Sequence, residues 1–166
     1  MNFIALDIET TGFSPGNAEI IEIAAVKVRG GEIYQTFATL CAPLNGLHPD
    51  AMRVNGITHE MVANKPSFRE LLPTVLNFLG GDLIVCHNTP FDLGFIAHYC
   101  REAGLPFAPR SDDTLTLARS LLPQLPSKSL QPVADFLGIS SDGYHRAQAD
   151  AAVTAKIYMK LMEMRK

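Results

Sequence analysis

FIALDIETTG, residues 3–12, is the stretch on which the reading of this 166-residue chain turns. Phe3-Ile4-Ala5-Leu6 reads as a strand heading into a core. Asp7 and Glu9 then follow two residues apart, which in a strand sets both side chains on one face. Two adjacent anions on an inward face repel, and an unpaired buried carboxylate is among the costliest groups a fold holds. The stretch therefore calls for a cation.

Outward from it, IIEIAAVKV (20–28) is apolar and β-branched, Gly30-Gly31 punctuates, and EIYQTFATL (32–40) resumes. Three sequential antiparallel strands follow, with the glycine pair as a hairpin turn. The Pro-, Asn-, Gly- and His-rich segment from Cys41 to His59 reads as a long irregular connection, and long loops in compact domains tend to be functional. Ser67-Phe68-Arg69-Glu70 has the form of a capping box and predicts a helix ending near Gly80-Gly81, kinked or broken at Pro73. DLIVC (82–86) reads as a buried strand, feeding HNTPFD and a helix over residues 91–103. Further helices are expected at 114–122, 129–138 and 146–165. The order β-β-β-α-β-α followed by helices predicts one α/β domain, 1–166, with a mixed sheet.

Helical periodicity of about 100° per residue sets Asp92 on the stripe of Phe95, Ile96, Tyr99 and Ala103, and Asp150 on that of Val153, Thr154, Ile157 and Leu161. Four acids thus point at the core, two from a strand and one from each of two helices. A single Asp near a helix start is ordinarily a cap, and Asp112-Asp113 before Thr114 reads that way; Asp135 and Asp142 read as solvated. Ligation by several carboxylates suits Mg²⁺ or Mn²⁺, and four converging acids suggest two ions. His145, just ahead of the last helix, has the residue type of a general base, mostly neutral at pH 7.

Composition bounds the partners. The net charge of −3 argues against coating long stretches of nucleic acid, though not against gripping a few nucleotides beside a metal. Three cysteines, Cys41, Cys86 and Cys100, in no paired spacing indicate neither a disulfide framework nor a zinc site. No leader or apolar run of about 20 residues opens or crosses the chain, so a cytoplasmic protein with no membrane attachment is expected.

These residues resemble, in order and spacing, the DnaQ-like (DEDDh) 3′–5′ exonuclease family of the RNase H-like superfamily. The matching pieces are LDIETTGF (6–13), VNGITHEM (54–61), IVCHNTPFDLGF (84–95) and YHRAQADAAVTAKIY (144–158). The resemblance implies a three-layer fold with a mixed five-stranded sheet flanked by helices. It implies two divalent ions held by Asp7, Glu9, Asp92 and Asp150, with His145 as general base. It further implies that Thr10, Thr11, Gly12 and Phe13 hold the 3′-terminal nucleotide, that Ile57 and Thr58 pack near its base, and that Asn88 braces the second motif. The expected activity is release of nucleoside 5′-monophosphates from DNA 3′ ends, single-stranded or frayed, in proofreading or repair. A same-class alternative is an exoribonuclease, and one from another class is a non-catalytic module that binds strand ends. The expected partners are nucleic acid and a polymerase or larger replication assembly; with the chain stopping at Lys166, either it acts alone or it is one domain of a longer protein.

Overall fold

The computed structural model describes residues 1–140 and 146–165. Its strands are β1 (Asn2–Thr10), β2 (Ile20–Arg29), β3 (Glu32–Leu40), β4 (Ile84–Cys86) and β5 (Ser111–Asp113). Its helices are α1 (Pro49–Asn55), α2 (His59–Val62), α3 (Phe68–Leu79), α4 (Thr89–Glu102), α5 (Thr114–Leu121), α6 (Leu130–Phe136) and α7 (Ala147–Met164). The strands form one sheet in the order β3-β2-β1-β4-β5. β1, β2 and β3 pair antiparallel around the Gly30-Gly31 turn, whose positive φ values of 62° and 91° suit glycine. β4 and β5 run parallel to β1, which makes the sheet mixed.

Alternation along the strands builds two cores. Phe3 and Ala5 face one way with Ala24, Val26, Val28 and Val85, packing on Leu117, Val133, Val153, Ile157 and Leu161 of α5, α6 and α7. Ile4, Leu6 and Ile8 face the other way with Ile23, Ala25 and Ile84, packing on Phe68, Leu72, Val75, Phe95 and Ile96 of α3 and α4. Helices therefore cover both faces, the three-layer arrangement that a parallel core requires. Asp7 and Glu9 continue the face of Phe3 and Ala5, so β1 aims them toward α7.

Ser67 and Glu70 complete the predicted capping box, and α3 runs unbroken through Pro73, its apolar stripe holding the helix where local propensity alone would end it. Two predictions need correction. The connection from Cys41 to His59 is not irregular throughout: α1 forms within it, the His48 side chain accepting from the Asp50 amide and Pro49 opening the helix. Ala103 is not on the buried stripe of α4 but is its exposed C-cap. β5, which the polar triplet Ser111-Asp112-Asp113 gave no periodicity to reveal, completes the five strands.

Candidate active site

Ends of three elements meet beside β1. Asp7 and Glu9 lie toward its C-terminal end, Asp92 in the first turn of α4 and Asp150 in the first turn of α7. Asp7, Glu9 and Asp150 each offer an oxygen, and the three lie within 4.8 Å of one another. Asp92 is only 3% exposed and Asp150 8%. Asp92 stands outside the group of three and accepts a hydrogen bond from the Ile8 amide at 3.2 Å, which ties α4 to β1.

The electrostatics match that crowding. Burial, then the charges of Asp92, Asp150, Glu9 and Glu22, push the Asp7 carboxyl well above the usual range. Burial raises Asp92 as well, against the hydrogen bonds from backbone amides that favour its charged form. Glu9 is pushed up to about 8 by burial and then by Asp150 and Glu22, partly offset by a hydrogen bond from Asn55 and the charge of Arg146. Carboxylates raised by one another are stabilised by a cation. A compact, all-oxygen donor set of this kind fits a hard divalent ion.

Glu22, Arg146 and His87 frame the cluster. Glu22 faces Glu9 across the β1–β2 register and is buried. It accepts from Arg146 Nε at 3.1 Å and from its terminal nitrogen at 2.8 Å, and from the Ala147 amide at 3.0 Å. This clamp fixes the N-terminus of α7, three residues before Asp150. An isolated acid inside the apolar run of residues 20–28 is the sequence signal that could have found Glu22. His145 precedes Arg146 in sequence and lies outside the described residues. His87, directly after β4, contacts Thr114 Oγ1 through Nδ1 and the Lys128 carbonyl through Nε2, both at 2.8 Å. A carbonyl only accepts, so Nε2 carries a proton, and burial lowers the His87 pKa toward the neutral ring.

The expected substrate residues separate into two sets. A cavity of about 220 Å³ beside Glu9 is walled by Thr10, Thr11, Gly12 and Phe13, and across from them by Val54, Asn55 and Phe91. The threonine side chains shape this loop: Thr10 donates to the Gly12 carbonyl at 2.6 Å, and Thr11 Oγ1 accepts from the Glu19 amide at 2.9 Å. Gly12 packs so closely that a Cβ there would meet Ala18 Cβ at 3.2 Å. Phe13 is 92% exposed at the rim. Ile57 and Thr58 are not walls of the cavity. Ile57 is fully buried with Ile21, Leu47 and Val62, and Thr58 caps α2 by accepting from the Met61 amide, while Val54 lines the cavity. Asn88 braces the second motif through its backbone, holding φ at 84° while its amide donates to Asp113 at 2.8 Å.

Among the described residues, no helix is long and apolar enough to cross a membrane. Over residues 4–158 the chain matches the family model described as exonuclease. It is 38% identical over 162 residues to DNA polymerase III subunit epsilon of Aquifex aeolicus, covering 97% of this chain and 80% of that protein. It is 43% identical over 165 residues to DNA polymerase III PolC-type of Thermotoga maritima, covering 99% of this chain but only 12% of the relative's length. Among solved structures it is similar to Exonuclease X in complex with 5′ overhanging duplex DNA, at a TM-score of 0.79 and 29% identity over 97% of this chain and 91% of that one. The fold alone is shared with the E. coli ExoI–ssDNA complex, at a TM-score of 0.86 and 21% identity, covering 99% of this chain and 41% of that one. Sheet order, motif spacing and the matched span agree: the chain belongs to the DnaQ-like (DEDDh) exonuclease family, on the RNase H-like fold.

Proposed function

We propose that this chain is a 3′–5′ exonuclease dependent on two Mg²⁺ or Mn²⁺ ions, hydrolysing DNA from its 3′ end to nucleoside 5′-monophosphates in proofreading or repair. The observation that carries it is the trio Asp7, Glu9 and Asp150, whose oxygens lie within 4.8 Å of one another, with Glu9 also lining a cavity of about 220 Å³. Asp7, Glu9, Asp92 and Asp150 would hold the ions, which when bound supply activation of a water and stabilisation of the leaving oxygen. His145 takes the proton of the attacking water; the new P–O bond forms as the P–O3′ bond of the penultimate nucleotide breaks, and the freed 3′-oxygen is protonated. Thr10 to Phe13 and Val54 orient the terminal nucleotide, holding its phosphate over the carboxylates.

DNA is favoured because the relatives named above are DNA polymerase III proteins and the Exonuclease X structure holds duplex DNA. The same relatives support a polymerase or replication assembly as partner, and a cytoplasmic location. The test is hydrolysis of 5′-labelled DNA and RNA strands of one sequence, with Mn²⁺ and with chelator. Stepwise shortening of the DNA from the 3′ end with metal is expected. Release of the 5′ label as the first mononucleotide, or cutting of circular single strands, would overturn the proposal.

A further inference from the structure

A strand seated in this site has to leave it, and the cavities beside the carboxylates mark a path. The 220 Å³ cavity reaches the cluster at Glu9. Beyond Glu9, Asp7 and Asp150 wall a second cavity of about 460 Å³, closed by His87, Ser129 and Leu130. Those same three residues wall a third cavity of about 490 Å³, which ends on Arg119 and Lys128 and, among the described residues, has no acidic residue in its lining. The three lie in sequence, with the carboxylates between an apolar end and a basic one.

The charges along this path are arranged for a polyanion. A chain of net charge −3 with a carboxylate cluster repels a nucleic-acid backbone at long range, so binding needs cations kept away from its own acids. Two cations near the site do not meet that condition: Arg53 is paired with Asp50, and Arg146 with Glu22. Among the described residues, Arg119 and Lys128 form no ion pair. Lys128 is also held in place, because its carbonyl accepts from His87 Nε2 at 2.8 Å and its own Nζ donates to the Leu125 carbonyl. Arg119, in the last turn of α5, is exposed and close enough to His87 to act on its titration. Its planar fork suits a phosphate's paired oxygens, and lysine serves as a point charge.

We propose that this groove, from His87 and Ser129 to Arg119 and Lys128, binds the sugar-phosphate backbone on the 5′ side of the scissile bond, each of the two cations neutralising one phosphate. The inference rests on the exonuclease reading. It makes substrate length a determinant of affinity: a strand of several nucleotides engages the groove, and a nucleotide ester does not.

The test compares the wild type with R119E/K128E, and with R119Q/K128Q in case reversal perturbs α5. Affinity for a fluorescent, phosphorothioate-linked ten-nucleotide single strand is followed by anisotropy from 50 to 200 mM salt. Hydrolysis of the p-nitrophenyl ester of thymidine 5′-monophosphate with Mn²⁺ is measured alongside. The wild type should hydrolyse the ester. The variants should bind the ten-nucleotide strand roughly ten-fold more weakly at the lowest salt, with a salt slope shallower by about 0.7 per cation removed. K65E/R101E, an equal charge change placed elsewhere, should keep the wild-type slope. An unchanged slope in both groove variants, or an equal loss in K65E/R101E, would overturn the groove. Absence of metal-dependent ester and strand hydrolysis in the wild type would instead overturn the nuclease reading and leave the binding comparison to decide the groove.

Discussion

Two parallel strands of this sheet end in closely spaced acids, and the pairs live in opposite environments. At the end of β5, Asp113 accepts from the amides of Asn88, Thr89 and Leu115 at 2.8, 3.3 and 3.1 Å and from the Thr116 hydroxyl at 2.7 Å. Burial alone would raise its pKa, yet these donors outweigh burial and hold it below the usual range. Asp112 accepts from the Asp113 amide and the Tyr158 hydroxyl. At the end of β1, Asp7 and Glu9 are raised by burial and by other carboxylates. The difference teaches what separates a structural acid from a functional one in this fold. A carboxylate supplied with protein donors is satisfied by the fold itself; carboxylates supplied mainly with one another are completed by something that binds.

The largest effect that tests this contrast is on turnover. Replacing His145 with Ala should lower the rate by about 10²–10⁴-fold while leaving metal-induced stabilisation intact, because the base holds no metal. Asp150→Ala should remove both the activity and the stabilisation, read by turnover and by thermal unfolding with Mn²⁺. Next in size is the metal itself. At a free concentration 100-fold above its dissociation constant, Mn²⁺ should stabilise the wild type by about 2.7 kcal/mol per site, measured by denaturant unfolding with and without chelator.

Smaller effects sharpen the comparison from the satisfied side. Asp113→Ala removes a helix cap, and should cost about 0.5–2 kcal/mol while keeping the full Mn²⁺ shift. Glu22 belongs with Asp113 in being supplied with donors, although it sits beside the other group. Glu22→Ala should cost about 1–3 kcal/mol, for the hydrogen bonds to a charged group that it loses. If the clamp positions Asp150, the same variant weakens Mn²⁺ binding, and Arg146→Lys restores less affinity than wild-type Arg because it cannot reproduce the fork. Unchanged Mn²⁺ affinity in Glu22→Ala would leave the clamp a purely structural pair.

Much of this was legible in the sequence, where local rules and tertiary packing agreed. The hairpin of β1 to β3 and the faces bearing Asp92 and Asp150 follow from apolar periodicity, and the capping box of α3 from its Ser-x-x-Glu spacing. The parts that escaped are those fixed by neighbours. β5 is three polar residues whose strand geometry comes from pairing with β4. α1 sits in a segment rich in turn formers, yet is capped by His48. The burial of Ile57 in a small core with Ile21 and Leu47, and the place of Val54 on the cavity, are likewise set by tertiary packing. His87 carries no pattern of its own, since its partners Thr114 and Lys128 lie 27 and 41 residues away.

The same contrast is tested by pH. Glu9, near 8 when folded, binds more protons folded than unfolded above its usual range. The stability that it contributes is therefore full below about pH 4 and is lost as pH rises through about 8. Asp7 and Asp92, raised by burial, act in the same direction. His87, lowered by burial, acts oppositely, losing stability as pH falls through its unfolded value near ~6.5. In chelator, the melting temperature of the wild type should exceed that of the same protein at pH 8 when measured near pH 5, and saturating Mn²⁺ should narrow the gap.

The central claim, that the acids of β1 are a cation site and not a structural pair, is tested most directly by the thermal unfolding of Asp7→Asn beside the wild type at pH 8, in chelator and in saturating Mn²⁺. The account predicts that Asp7→Asn melts no lower than the wild type in chelator, since the change relieves repulsion from Asp92, Asp150 and Glu9, and that it loses most of the Mn²⁺ shift. An Asp7→Asn protein that melts well below the wild type in chelator and keeps the full Mn²⁺ shift would contradict it.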